Sequence, residues 1–117
     1  MTIATYSQKT DWIEIIDTEE RTTYFKVRTE NTAWFKTVLK NDEQKYKGKV
    51  VRQILALMKF DCDKMLLGYV NTIFYDDDLK VIVQESVNEI LVKMENIIPD
   101  SYMESYYKSF CNKDKKD

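Results

Sequence analysis

Two cysteines, Cys62 and Cys111, and the absence of histidine constrain this 117-residue chain more than any motif in it. A metal cluster or a cysteine–histidine catalytic pair has almost nothing to be built from. The simplest use left for the two thiols is a bond between them. Such a bond would close a loop of about 50 residues and contribute roughly 4 kcal/mol by removing freedom from the unfolded chain, against the roughly 5–15 kcal/mol that hold a domain together. It would also belong to an oxidising compartment outside the cytosol. The other reading is two unrelated buried thiols in a cytosolic protein.

An apolar content of 44% is enough for one compact core in a chain of this length. We expect a single domain over residues 11–111, preceded by a polar leader over residues 1–10 and followed by a polar tail over residues 112–117 that should fray. The net charge of −2 argues against a nucleic-acid binder working through a strongly basic face. The charge is unevenly placed: residues 1–60 hold 11 Lys+Arg against 8 Asp+Glu, and residues 61–117 hold 7 against 12. Halves of opposite sign suit a surface that steers a partner, or simply solvated side chains. The longest apolar run, Ile54 to Met58, is far short of the roughly 18 residues of a membrane span. The first residues lack the basic, apolar and small-residue succession of a secretory signal. With an oxidised cysteine pair, the expectation is a mature domain from which a signal or lipidation segment has been removed.

Strand signals fill the first two thirds. Trp12 to Ile16, Thr23 to Arg28 and Ala33 to Leu39 are β-branched and aromatic, with the polar Asp17-Thr-Glu-Glu-Arg21 suiting a hairpin loop between the first two. Asn41 to Lys49 is polar, contains Gly48 and reads as a long loop. Val50 to Phe60 and Lys64 to Tyr75 follow, then the turn Asp76-Asp77-Asp78 and a sixth run, Leu79 to Gln84. Six strands with hairpin-length joins predict one antiparallel meander. In the fourth run both parities carry apolar residues, so both of its faces should be covered, one by a helix and the other by a partner or a second copy.

That helix is at the end. Ser101 and Glu104 form a Ser-x-x-Glu capping box after Pro99, and Met103, Tyr106, Tyr107, Phe110 and Cys111 fall on one stripe. About ten residues of helix are marginal alone in water, so the stripe must dock. Residues 88–96 are ambiguous: Ser86-Val-Asn-Glu89 is another capping box and the apolar spacing favours a helix, yet short extended pieces also fit.

Catalytic constellations are weak. No carboxylate pair sits in the apolar context that would raise one pKa, and Asp61 and Asp63 flanking Cys62 disfavour a thiolate. Asp76-Asp77-Asp78 lacks the glycine and the terminal glutamate of a calcium loop and reads as a turn. Gly48 and Gly68 are too far apart to cradle a phosphate. The chain is therefore expected to be non-catalytic, with no metal and no cofactor. The candidate partner-binding residues are Lys45, Lys47, Lys49 and Arg52, which bracket the long loop and would form a basic rim for an acidic or sulfated partner. Eight tyrosines, among them Tyr102, Tyr106 and Tyr107, are more than the core requires and suit a half-wet interface or the packing of the helix.

The succession Phe60-Asp-Cys62, then Ile73-Phe-Tyr-Asp-Asp-Asp-Leu-Lys-Val-Ile82, then Ile97-Ile-Pro-Asp-Ser101 and finally Phe110-Cys111 resembles the surface-adhesin protein E family of Gram-negative bacteria. The match is close over residues 60–111 and is one of strand pattern over residues 12–59. Leu79 stands where a turn glycine would be usual, and Met94 where the family often has a tryptophan. The resemblance implies an α+β fold: a single antiparallel sheet of about six strands with a C-terminal helix packed on one face and tethered by a Cys62–Cys111 disulfide. It also implies an outer-membrane lipoprotein that binds host matrix or serum proteins such as vitronectin and laminin, and that can form a homodimer. Haem binding is reported for the type but is not carried over to a chain without histidine. The runner-up function is a periplasmic inhibitor or immunity protein that neutralises a toxin or enzyme through its acidic half.

Overall fold

A computed structural model describes residues 12–113. The expected leader over residues 1–10 and the tail beyond Lys113 lie outside the described residues. Six strands form the meander: β1 (Ile13–Asp17), β2 (Arg21–Thr29), β3 (Thr32–Leu39), β6 (Gln53–Asp61), β7 (Leu66–Tyr75) and β8 (Val81–Ser86). They lie side by side in that order, every neighbouring pair antiparallel. Between β3 and β6 the chain makes a separate small hairpin, β4 (Lys45–Tyr46) and β5 (Lys49–Val50). This corrects the expectation of a loop over residues 41–49. Lys47 and Gly48, at φ of 53° and 78°, both adopt the left-handed backbone that a two-residue hairpin turn demands.

One face of the sheet carries the core. Cross-strand register brings Phe25 opposite Phe35, Phe35 opposite Ala56 and Phe60 opposite Leu67. The helix α1 (Tyr102–Cys111) lies on this face and inserts Tyr106 and Phe110. Phe60 stacks on Phe110 with ring centroids 4.5 Å apart, and Phe35 meets Phe25, Phe60 and Tyr106 at 5.7, 5.9 and 4.8 Å. Offset and tilted rings at these separations add about 0.5–1.5 kcal/mol per pair beyond the area they bury. Ser101 caps the helix by accepting from Glu104 N. Glu104 reaches back to accept from Asp100 N at 2.9 Å, one residue before the cap and not at the cap itself.

The Cys62–Cys111 bond joins the last turn of α1 to the tip after β6, with Cα atoms 5.7 Å apart. Beside it, Tyr107 Oη donates to Cys62 O at 2.8 Å. The α+β fold read from the chain, with its tethering disulfide, is the fold observed.

The segment over residues 88–96 is not the helix that its spacing favours. It holds a single 3₁₀ turn, Glu89–Leu91, and then β9 (Glu95–Asn96). Ser86 pairs with Asn71, while Asn96 pairs with Leu66 farther along the same edge of β7. β8 and β9 are thus two pieces of one edge strand, interrupted by an excursion. Both ends are held to that edge, and the excursion passes over Gly68, where a Cβ would stand 2.6 Å from Lys93 O. A regular helix would have to leave this close contact. Ile90 and Leu91, which helical spacing assigned to a buried stripe, are 82% and 79% exposed.

Candidate partner-binding site

The four basic residues singled out in the sequence fall into two roles. Lys45, Lys47 and Lys49 are exposed on the β4–β5 hairpin. The hairpin is seated by Tyr46, whose ring meets that of Phe74 edge-on at 5.6 Å. Arg52, by contrast, spends its donors inside the protein. Its Nε donates to Asp77 at 2.7 Å, its Nη1 to Leu39 O at 2.7 Å, and its Nη2 to Asp42. The bonds to Asp77 and then Asp42 raise its pKa further. Arg52 therefore ties the loop before the hairpin to the turn after β7.

In that turn Asp76 accepts from the backbone N–H groups of Lys80 and Asp78 at 3.0 and 2.9 Å, and the first of these bonds leads the causes that lower its pKa. Leu79, flagged in the sequence for occupying a glycine position, has φ of 60°.

The sheet face opposite α1 holds a group of residues that the sequence reading did not single out. Trp12, Tyr24, Lys26, Trp34 and Lys36 come from the residue before β1, from β2 and from β3. Lys36 Nζ lies 4.7 Å from the Trp12 ring centre and 5.4 Å from that of Tyr24, and Lys26 Nζ lies 5.9 Å from Trp12. Ring faces attract such cations by about 0.5–1 kcal/mol at exposed sites. Neither lysine has a carboxylate partner among the described residues. Trp12, Lys26, Val27, Arg28, Trp34 and Leu55 line a shallow hollow of about 360 Å³. Arg28 and Lys59 are tied instead to the 3₁₀ turn: Arg28 pairs with Glu89 Oε1 at 3.1 Å and Lys59 donates to Glu89 O at 3.0 Å. The available signal was the shared parity of Tyr24 and Lys26 in one strand and of Trp34 and Lys36 in the next.

The tyrosines of α1 divide as well. Tyr106 is buried in the core, Tyr107 is bonded to the Cys62 carbonyl, and Tyr102 is exposed beneath Arg21, whose Cζ is 4.2 Å from its ring centre. No helix among the described residues is long and apolar enough to cross a membrane.

A sheet locked by a disulfide, with one face built into a core and the other left as a basic and aromatic surface, is a frame for holding a partner. The model of the surface-adhesin protein E family matches residues 12–112, and the chain belongs to that family. No curated protein and no solved structure matches it. The family match includes residues 12–59, where the resemblance in the sequence was one of strand pattern alone.

Proposed function

We propose that this protein is a non-catalytic adhesin of the Gram-negative outer surface that binds a host matrix or serum protein. The observation that carries this reading is the family match over residues 12–112. The exposed lysines of the β4–β5 hairpin, Lys45, Lys47 and Lys49, support a contact made with an acidic stretch of the partner. Arg52 serves that contact indirectly by holding the hairpin's base. Charges at a rim act mostly on the rate of association and its salt dependence.

The test is capture of matrix and serum proteins on the immobilised domain, with a lysate of the source bacterium in parallel. Saturable binding of a host protein is expected. Replacing the three lysines together by glutamate should slow association and flatten its dependence on salt. Capture of one bacterial enzyme or toxin, with no host protein retained, would overturn the reading.

A further inference from the structure

The helix covers only one end of the core face. Beyond it, toward the β4–β5 hairpin, the same face forms a cleft of about 260 Å³. Its floor is apolar, made by Ala56, Met58, Ile54 and Phe74, and the Tyr46 ring stands edge-on to Phe74. Its walls are Tyr69 and Tyr106, with Thr37, Thr72 and Arg21 adding polar atoms. Burial leads the causes that push the Tyr106 phenol upward from its ordinary pKa, so it keeps its proton and remains a donor.

Arg21 is the unusual member. Its Nε is the one buried side-chain nitrogen or oxygen among the described residues that lacks a hydrogen-bond partner. Its guanidinium lies over Tyr102, and the Thr37 hydroxyl and Arg21 both act on the Tyr106 phenol. On its other side, Glu20 and Glu43 border a smaller hollow of about 160 Å³, and neither forms an ion pair with it. The Arg21 Nε is sealed from solvent, and no carboxylate among the described residues pairs with the guanidinium it belongs to. An anionic acceptor in the cleft would pair with this uncompensated cation. The apolar floor asks for a hydrocarbon tail behind the acceptor, and a volume just under the roughly 300–1,000 Å³ of drug-sized sites limits the tail's length.

We infer that the cleft between α1 and the β4–β5 hairpin binds a medium-chain aliphatic monocarboxylate, its carboxylate on Arg21 with the Tyr106 phenol alongside and its tail on Ile54, Met58 and Phe74. This small-molecule site lies on the core face, opposite the basic and aromatic surface, and stands or falls independently of any adhesive partner.

The probe is octanoate, compared with octan-1-ol and acetate, each titrated into the intact domain and followed by backbone amide shifts. Octanoate should bind saturably, with the largest shifts at Ile54, Ala56, Thr72 and Phe74. Octan-1-ol should bind at least about tenfold more weakly, the equivalent of one charged hydrogen bond. Acetate, with no tail, should not saturate. Arg21→Gln should bring octanoate to the level of octan-1-ol and leave octan-1-ol unchanged, with the thermal midpoint confirming that the variant is folded. Equal affinity for octanoate and octan-1-ol in the unmodified protein, an unchanged octanoate affinity in Arg21→Gln, or no saturable binding at millimolar octanoate would each overturn the inference. The first comparison requires no variant to fold.

Discussion

The two ends of the sheet are held together by different physics. At the end that carries α1, Phe35, Phe60, Tyr106 and Phe110 stack in a closed core and the Cys62–Cys111 bond fastens the helix over them. At the other end, Arg52 gathers Asp42, Asp77 and the Leu39 carbonyl, and the hairpin rests on the Tyr46–Phe74 contact. The first end uses burial and a covalent link, which salt and pH barely touch. The second uses exposed charge, which solvent screens. Stability should therefore concentrate at the helix end, leaving the hairpin end, with its exposed lysines, the softer of the two.

Breaking the covalent link is the strongest test of that contrast. Replacing Cys62 and Cys111 together by serine should lower unfolding stability by roughly 2–5 kcal/mol. Because Tyr107 and the aromatic stack still hold α1, the sheet should persist while amide protection is lost first along the helix. Denaturant unfolding with hydrogen exchange reads both. A double variant as stable as the parent would show that the clamp adds nothing to the core.

On the same end, Gly68 tests whether the excursion over residues 87–94 is packed or merely draped. A Cβ there would stand 2.6 Å from Lys93 O, 3.0 Å from Met94 Sδ and 3.1 Å from Val92 Cγ2. The nearest of these is backbone and cannot swing aside. Gly68→Ala should therefore cost about 1–3 kcal/mol and detach β9 from β7, seen as faster exchange at the Leu67 amide, which faces Glu95. A neutral substitution would mean that the excursion yields freely.

How far the chain disclosed all this depends on the range of the interactions. The strands of the meander and the capped helix were legible because alternation and capping are local. Cys62 and Cys111 were legible as a pair through their neighbours and the family resemblance. The β4–β5 hairpin was missed because its strands are two residues long, too short to alternate, although Lys47-Gly48 was a turn signal. Residues 88–96 misled for a different reason: Val87, Ile90 and Leu91 repeat at helical spacing, but attachment to the edge of β7 decided their backbone. The Trp12, Tyr24, Lys26, Trp34 and Lys36 group was hidden because it exists only once three strands are in register. Arg21 was read as the end of a polar loop, whereas it opens β2 and borders the cleft.

The softer end is probed by acid. Asp76 is held below its ordinary pKa chiefly by the Lys80 N–H, so its contribution is present above the unfolded value of about 3.9 and is lost as pH falls through the depressed folded value. Arg52 keeps its charge throughout, so the effect follows the protonation of Asp76. On lowering the pH below about 4, amides of the hairpin and of the Asp76–Lys80 turn should lose protection before those of α1. Arg52→Gln should produce the same local loss at neutral pH and remove most of its salt dependence, with little change in the helix. Simultaneous loss at both ends would show one cooperative unit and end the contrast.

The smallest effect expected is a gain. Leu79 holds a left-handed backbone at φ of 60° in the turn that Arg52 grips through Asp77, and its side chain is 57% exposed. Left-handed backbone costs a residue with a Cβ roughly 1–2 kcal/mol, while glycine loses about 0.5–1 kcal/mol of extra chain entropy on folding. Little packing is lost with so exposed a side chain, so Leu79→Gly should stabilise the protein by up to about 1 kcal/mol. The increment should appear as slower exchange at the Asp78 and Lys80 amides, whose acceptor is Asp76 Oδ1, and not along α1. A loss of stability would mean that the Leu79 side chain holds the turn in place, and that the hairpin end is less dependent on charge than its ion pairs suggest.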